Sequence, residues 1–329
     1  MKKFLDSIDS LLDASLKGFA AAHADLVGFH SEPRYLWRKQ PGRPGKVVLI
    51  SGGGSGHEPL HGGFVGRGML DAACPGEIFT SPTPDQMLAA AQAVDQGSGV
   101  LFIVKNYAGD VMNFEIAAEM LESPHATVLV ADDVSLPKDH SIGRRGVAGT
   151  LVVEKMVGAA AERGADLAAC KTLGERVAAA TASMGVALTS CTVPALGRPT
   201  FELGADEIEM GVGIHGEQGR RRMALSGASG IVATLADAIA ADLPLDPARP
   251  ILLHVNGFGG TPLVELYLVY DIARRYFEAK SITIARSLVG NYTTSLDMAG
   301  CSLTVTLLDE ELLELWDAPV LTPALRWGC

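Results

Sequence analysis

Several things are scarce in this chain of 329 residues, and each shortage removes a class of protein. Aromatic residues make up only 6% and charged residues 20%, against 48% hydrophobic residues, which points to an Ala/Val/Leu-rich globular α/β protein and away from disorder. The five cysteines, Cys74, Cys170, Cys191, Cys301 and Cys329, are odd in number, widely spaced and without a CxxC pair. That pattern excludes a disulfide framework and a zinc site, and suits a reducing, cytoplasmic compartment. Positive charge is in deficit: 27 Lys and Arg face 38 Asp and Glu, for a net charge of -11. Nucleic acid is therefore not an expected partner, because phosphate binding needs a basic face. Arg220, Arg221 and Arg222 form the one basic cluster of note and read as a solvated run. No run of about 18 apolar residues occurs, so no membrane span is expected. The opening "MKKFLDSIDSLLDASLKGFAAAH" alternates apolar and acidic residues at helical spacing, unlike the apolar core of a signal peptide.

What is abundant is glycine, with 37 residues, and it is concentrated in the stretch "SGGGSGHEPLHGG" at residues 51 to 63, directly after the apolar run "KVVLI". Dense glycine in an ordered loop means positive φ or close backbone approach. The stretch reads either as a tight strand-to-helix turn or as a cradle whose N–H groups bind an anion or polar ligand. Comparable units follow. "GVLFIVK" leads through "NYAGD" into the helical "VMNFEIAAEML", and "ATVLVADDV" leads to "GRRGVAGT". Strands alternating with helices in this way predict a parallel sheet with crossover helices. A helix is expected from near Val147, and a second, Ala-rich one over "DLAACKTLGERVAAATASMG". From Val186 the short extended pieces, prolines and turns predict a mixed sheet. The chain thus reads as two α/β domains, 1–185 with the parallel sheet and 186–329 with the mixed sheet. The length favours two domains of ordinary size.

Loops at the carboxyl ends of neighbouring parallel strands converge on one crevice, which would bring His57 and Asp110 together. Asp110 reads equally as a helix N-cap, and His57 or His61 as a hydrogen-bonded loop histidine. Lys105 ends an apolar strand, where a cation more often serves a ligand or a carboxylate. The segment "GVGIHG" at 211 to 216 matches GxGxxG formally, but neither a buried strand nor an apolar crossover helix frames it, so a dinucleotide site is not expected. It leaves His215 between glycines and near Glu217, available as nucleophile, base or ligand, or as an ordinary loop histidine. Neither a GxxxxGK[ST] run nor a protein-kinase motif set exists, and no Mg²⁺-binding carboxylate cluster stands beside a phosphate loop.

Taken in order, "SGGGSGHEP", "GMLDAACPGEIFTSPTPDQM", "KNYAGDVMNFE", "GRRGVAGT", "EKMVGAAAERG", "CTVPALG", "GVGIHGE" and "TSLDMAG" make the chain resemble the dihydroxyacetone kinase K subunits, from "MKKFLDSIDSLLD" to "LWDAPVLTPALRWG". The resemblance implies a fold of two α/β domains, an α/β/α parallel-sheet domain followed by an α/β mixed-sheet domain, usually as a homodimer. It implies that His215 attacks the substrate ketone through Nε2 and holds it as a hemiaminal, and that His57 and Asp110 contact the substrate hydroxyls and assist proton transfer. Gly54, Ser55, Gly56 and Lys105 would complete the binding site, with no metal in this chain. The phosphoryl donor, ADP or ATP with Mg²⁺, would sit on a separate L subunit, recharged in many bacteria by a phosphotransferase-system M subunit. Two other functions fit the same residues: a kinase subunit for a related ketose such as erythrulose, and a non-catalytic ketone-sensing coactivator.

Overall fold

The computed structural model describes residues 2–329 apart from 142 and 218. It divides the chain into two compact units, each assembled from separate stretches: 1–130, 150–176 and 314–329 in one, 131–149 and 177–313 in the other. The expected boundary at 185/186 falls inside a strand of the second unit, so the division does not follow chain order.

In the first unit helix α1 (Ile8–Ala22) is capped by Ser7, whose hydroxyl accepts the Ser10 N–H at 3.2 Å. Strands β1 (Val27–Ser31), β2 (Arg34–Arg38), β3 (Val48–Ser55), β4 (Ala72–Ile78), β5 (Val100–Lys105) and β6 (His125–Val130) form a sheet in the order β1-β2-β4-β3-β5-β6. The four strands β4, β3, β5 and β6 are mutually parallel, as the strand–loop–helix pattern predicts, while β1 and β2 add an antiparallel pair at one edge. Helices α2 (Pro84–Val94) and α3 (Ala108–Met120) cover one face, where Met87, Ala90, Ala91, Phe114 and Ala117 meet Val48, Ile50, Phe102 and Val104. The glycine-rich stretch is not a loop at its start. Residues up to Ser55 continue β3 and pair with β4, because a side chain cannot be accommodated there: a Cβ on Gly52 would lie 2.6 Å from the Cys74 carbonyl oxygen, and one on Gly54 2.6 Å from the Thr80 nitrogen.

Helix α4 (Gly149–Arg163) is followed by α5 (Leu167–Ala179), which stops six residues short of the expected end. The remaining "TASMG" belongs instead to β7 (Thr181–Ala187). Its alternation decides this: Ala182, Met184 and Val186 enter the second unit's core, while Ser183 and Thr181 turn to the opposite face and bond Thr304 Oγ1 at 2.7 Å and Thr306 Oγ1 at 2.9 Å. Strands β8 (Glu207–Met210), β9 (Arg221–Ala224), β10 (Ile251–Gly257), β11 (Ile284–Gly290) and β12 (Gly300–Leu307) complete a mixed sheet in the order β11-β10-β12-β7-β8-β9, parallel only between β10 and β11. Helices α6 (Ala228–Asp242) and α7 (Leu263–Ala279) pack their apolar stripes, including Leu235, Ile239, Leu266 and Phe277, on Ile251, Leu253 and Val255. Helix α8 (Glu310–Asp317) and the short strands β13 (Val320–Leu321) and β14 (Arg326–Trp327) end the chain.

Leu253 is fully buried at the centre of the second core. Leu253→Ala should lower the unfolding free energy by about 2–5 kcal/mol, the range for a buried leucine whose cavity relaxes only in part. Urea denaturation checks it.

Candidate active site

Lys105 ends β5 with no exposed surface, so its ammonium has no water to solvate it. Each of its three N–H bonds meets an acceptor: the Gly52 carbonyl oxygen at 3.2 Å, His61 Nε2 at 3.0 Å and Asp110 Oδ2 at 3.2 Å. The parallel pairing of β3 with β5 makes this possible, since it brings the glycine backbone beside the end of β5. Gly53 must lack a side chain for the same reason: its Cβ would fall 2.2 Å from Lys105 Nζ. Asp110 sits in the first turn of α3, two residues inside the helix, and is buried. The N-cap is Tyr107, which provides no side-chain cap bond, so the N-cap reading of Asp110 gives way to an ion pair with Lys105 that also complements the helix dipole.

His61 is the second histidine of this cluster. Its Nδ1 lies 2.6 Å from Glu154 Oε1 and 3.0 Å from Ser51 Oγ. Burial lowers its pKa well below the ordinary imidazole value, and the positive charge of Lys105 and the neighbouring His57 act in the same direction. Burial raises the Glu154 carboxyl well above the carboxylate range, with Lys105 and the Ser51 hydroxyl opposing it. His57 is buried and stacks on Phe79, with ring centroids 5.0 Å apart. Phe79 holds φ at 57°, an uncommon conformation for a side chain of this size. Ser55 donates its hydroxyl to the Gly76 carbonyl at 2.7 Å, and Gly56, at φ 102°, donates its N–H to the Glu58 carboxylate at 3.0 and 3.1 Å. Gly54, Ser55 and Gly56 thus form one strand end and one turn, with an internal carboxylate against the Gly56 N–H.

In the second unit β8 and β9 form an antiparallel ladder, and the segment joining them carries His215. Glu217 grips that histidine twice: Oε2 accepts the His215 backbone N–H at 2.9 Å and Oε1 accepts from the ring Nδ1 at 2.8 Å. A carboxylate accepts and cannot donate, so the ring proton sits on Nδ1 and the lone pair on Nε2. Burial acts to raise the Glu217 carboxyl, but its bond to His215, the charge of His215 and the Arg145 guanidinium outweigh burial and hold it at about 2. Arg145 is itself tied to Asp133 Oδ2 at 2.8 Å, Ser135 Oγ at 2.6 Å and the Gly211 carbonyl at 2.7 Å. Gly213 leaves the space these groups need, since a Cβ there would lie 2.0 Å from Glu217 Oε2 and 2.6 Å from Arg145 Nη1. Arg222 of the basic triplet pairs with Glu209 at 3.4 Å, and Arg221 and Arg222 are exposed, as a solvated run should be. Among the described residues no group of three or more His, Cys, Asp or Glu side chains is placed to hold a metal ion, and no helix is long and apolar enough to cross a membrane.

The model of the Dak1 domain matches residues 17–324. This chain belongs to the Dak1 family. It is 46% identical to the PEP-dependent dihydroxyacetone kinase, dihydroxyacetone-binding subunit DhaK, of Escherichia coli strain K12, over the whole of both chains. Among solved structures it is similar to a dihydroxyacetone kinase operon co-activator, Dha-DhaQ, with a TM-score of 0.90, 32% identity and coverage of 94% of this chain and 97% of that one. It is similar also to the dihydroxyacetone kinase of C. freundii, with a TM-score of 0.88, 35% identity, and coverage of 99% of this chain and 60% of that one. Within this Dak1 chain His57, Lys105 and Asp110 lie in the first unit and His215 in the second. Sequence reasoning passed over Glu154 and Arg145. Glu154 had a signal, a carboxylate inside the apolar run "TLVVEKMVG"; Arg145 lies in "GRRGVAGT", a segment of the resemblance in which nothing local singles out one arginine.

The Glu217 carboxyl has a folded-state value below its usual 4.5, so its contribution to stability is complete above about pH 4.5 and is lost as pH falls through about 2. Wild type should therefore exceed Glu217→Gln in stability at pH 6, with the gap closing toward pH 2. Urea melts across that range check the closure; a gap independent of pH would contradict it.

Proposed function

We propose that this chain is the dihydroxyacetone-binding subunit of a dihydroxyacetone kinase, and that it holds its ketone through a reversible covalent bond to His215. The observation that carries this reading is the double grip of Glu217, which puts the proton of His215 on Nδ1 and its lone pair on Nε2. In the proposed step Nε2 forms a bond to the carbonyl carbon and the carbonyl π electrons move onto oxygen. A proton from solvent neutralises that oxygen, and the Nδ1 proton passes by way of Glu217 back to solvent, so a neutral hemiaminal results with no net change in protons. A three-carbon polar ketone has little apolar area to bury, and glycerol has similar hydroxyls. A C–N bond reads the carbonyl itself.

Asp110 then accepts the proton of the substrate hydroxyl as that oxygen attacks phosphorus, with His57 orienting or assisting, and the 3.2 Å ion pair with Lys105 holds the carboxylate in place. Gly54, Ser55 and Gly56 supply the backbone that faces the substrate. The nucleotide, ADP or ATP with Mg²⁺, belongs in this reading to a separate L subunit, with a phosphotransferase-system M subunit as the source of phosphate, the assembly being a cytoplasmic one built on a homodimer. Support for a PEP-dependent kinase comes from the full-length similarity to the Escherichia coli subunit. Similarity to a co-activator favours a second reading, a ketone sensor without turnover. A panel of short ketoses, erythrulose among them, in a reconstituted kinase assay separates these readings: phosphorylation of none of them leaves the sensor.

His215→Ala should weaken dihydroxyacetone binding and remove its advantage over glycerol, because the remaining contacts are to hydroxyls that both ligands carry. Wild-type affinity for the ketone, but not for glycerol, should fall on acidification, since a protonated Nε2 has no lone pair. Calorimetric titration of both ligands measures each. A mutant that prefers the ketone by the wild-type margin sinks the covalent reading. Asp110→Asn should bind ketone yet slow turnover by about 10²–10⁴-fold, the usual contribution of a positioned base. Assay with the nucleotide-carrying subunit tests it, and turnover at the wild-type rate would remove the base from the mechanism.

A further inference from the structure

Arg145 takes no part in the proposed C–N bond, yet several polar groups of the second unit fix it in a buried position. Nε donates to Asp133 Oδ2 at 2.8 Å, and Nη2 donates to Ser135 Oγ at 2.6 Å and to the Gly211 carbonyl at 2.7 Å. The run that carries it is fixed in turn, because Asp132 accepts the Val147 and Gly149 N–H groups. The Nη1 corner is the one beside Glu217. A Cβ on Gly213 would lie 2.6 Å from Nη1 and 2.0 Å from Glu217 Oε2, so no side chain separates guanidinium from carboxylate.

That proximity bears on His215 through the shared carboxylate. A carboxylate against Nδ1 stabilises the doubly protonated ring, since opposite charges close together favour the charged form. Left unbalanced, Glu217 would draw a second proton onto Nε2 and remove the lone pair that bonding to a carbonyl carbon needs. A fixed cation beside the carboxylate works against this, and a guanidinium so little exposed is poorly screened by salt. The carboxylate registers it: burial pushes Glu217 up, but the bond to His215, the charge of His215 and the charge of Arg145 outweigh burial and hold it at about 2. The other titratable and charged groups packed around the pair are Asp132 and Asp133 from the run after β6, the Cys191 thiol beside Gly216, Arg220 beside Gly211, and Glu209, which accepts the Gly219 N–H at 2.9 Å.

We propose that Arg145 is a positioning residue for ketone binding: it fixes Glu217 against Nδ1 and balances its charge, so that His215 keeps Nε2 unprotonated at neutral pH. The inference rests on the reading of His215 as the nucleophile. Arg145 acts through the carboxylate and not on the ketone. Glu217 by itself orients the ring but also favours the imidazolium; Glu217 with Arg145 orients the ring and leaves its lone pair in place. The pairing also accounts for Gly213 in "GVGIHGE", where any side chain would force the two charges apart.

Ketone binding measured against pH separates this role from a scaffold. Calorimetric titration of dihydroxyacetone and glycerol into the full chain compares wild type with Arg145→Met, Arg145→Lys and His215→Ala. In Arg145→Met the acid-side loss of ketone affinity should begin about one pH unit higher than in wild type, the lower end of what a neighbouring charge does, so that affinity is about 10-fold down in acid and regains the wild-type value in alkali. A merely structural role would not produce that recovery. Arg145→Lys keeps the charge and should keep the wild-type profile, and glycerol binding should follow pH in none of the four. An Arg145→Met profile equal to wild type, a loss the same at every pH, or an Arg145→Lys profile matching that of Arg145→Met would each overturn the proposal; the covalent reading survives these outcomes as long as His215→Ala loses the preference for ketone over glycerol. If His215→Ala keeps that preference, both fail. If Arg145→Met does not fold because Asp133 is left without its cation, Arg145→Met combined with Asp133→Asn removes that charge too. The shift toward higher pH is still expected there, since Asp133 holds the Nε edge and not the Nη1 corner beside Glu217. A wild-type profile in the double variant ends the proposal.

Discussion

An ammonium group with no water around it must direct every N–H bond to an acceptor, and the arrangement of the first unit depends on how Lys105 meets that demand. Its three acceptors come from a strand carbonyl, a histidine ring and a helix-borne carboxylate. Each has a consequence. Gly53 can bear no side chain, because its Cβ would fall 2.2 Å from Nζ; the ring takes an ammonium N–H on Nε2; the carboxylate gains an ion pair at 3.2 Å in a buried place. The parallel pairing of β3 and β5, and the start of α3 three residues after β5, supply all three without a long connection.

The second unit meets a comparable constraint at His215 by different means. There the histidine is held by a carboxylate two residues away in the chain, and the charge of that carboxylate is balanced by Arg145, which is anchored to Asp133, Ser135 and a backbone carbonyl. One histidine faces an acceptor on Nδ1 and a cation on Nε2, as His61 does; the other faces a carboxylate on Nδ1 that lies near a guanidinium. Different second neighbours give the two rings different chemical prospects. Fold similarity alone does not separate these prospects, since a co-activator and a kinase superpose on this chain about equally well.

The sheet beneath His215 shows the same economy of polar groups. One face of β7, β10 and β12 is aliphatic and packs on α6 and α7; the other carries Thr181, Ser183, His254, Asn256, Thr304 and Thr306, all buried. Asn256 illustrates how the face is satisfied: its amide donates to the Thr293 carbonyl at 2.7 Å and its oxygen accepts the N–H groups of Tyr292 and Thr293 at 2.9 and 2.8 Å. Asp132 accepts the Val147 and Gly149 N–H groups, each at 2.8 Å, and so fixes the run that carries Arg145.

Much of this was legible in the sequence, because local pattern carries it. Alternating strands and helices predicted the parallel β4-β3-β5-β6 core, and the turn-rich stretch after Val186 predicted the mixed sheet. His57, Lys105, Asp110 and His215 were each marked by an apolar strand or by glycines on either side. What the pattern could not decide was set by partners distant in the chain. Small residues between Thr181 and Gly185 suit a helix until β12 offers a matching row of hydroxyls. The glycines of 52 to 54 suit a loop until β4 pairs with them. Glu154 is separated by 93 residues from the histidine it meets, and Arg145 by 66 from the Gly211 carbonyl it holds. The sequence alone determined most of the strands, helices and turns, through periodicity; only the tertiary structure decided the segments whose local pattern fits two states and which buried charges face one another, because a proton's place in a low-dielectric interior depends on neighbours that local sequence does not specify.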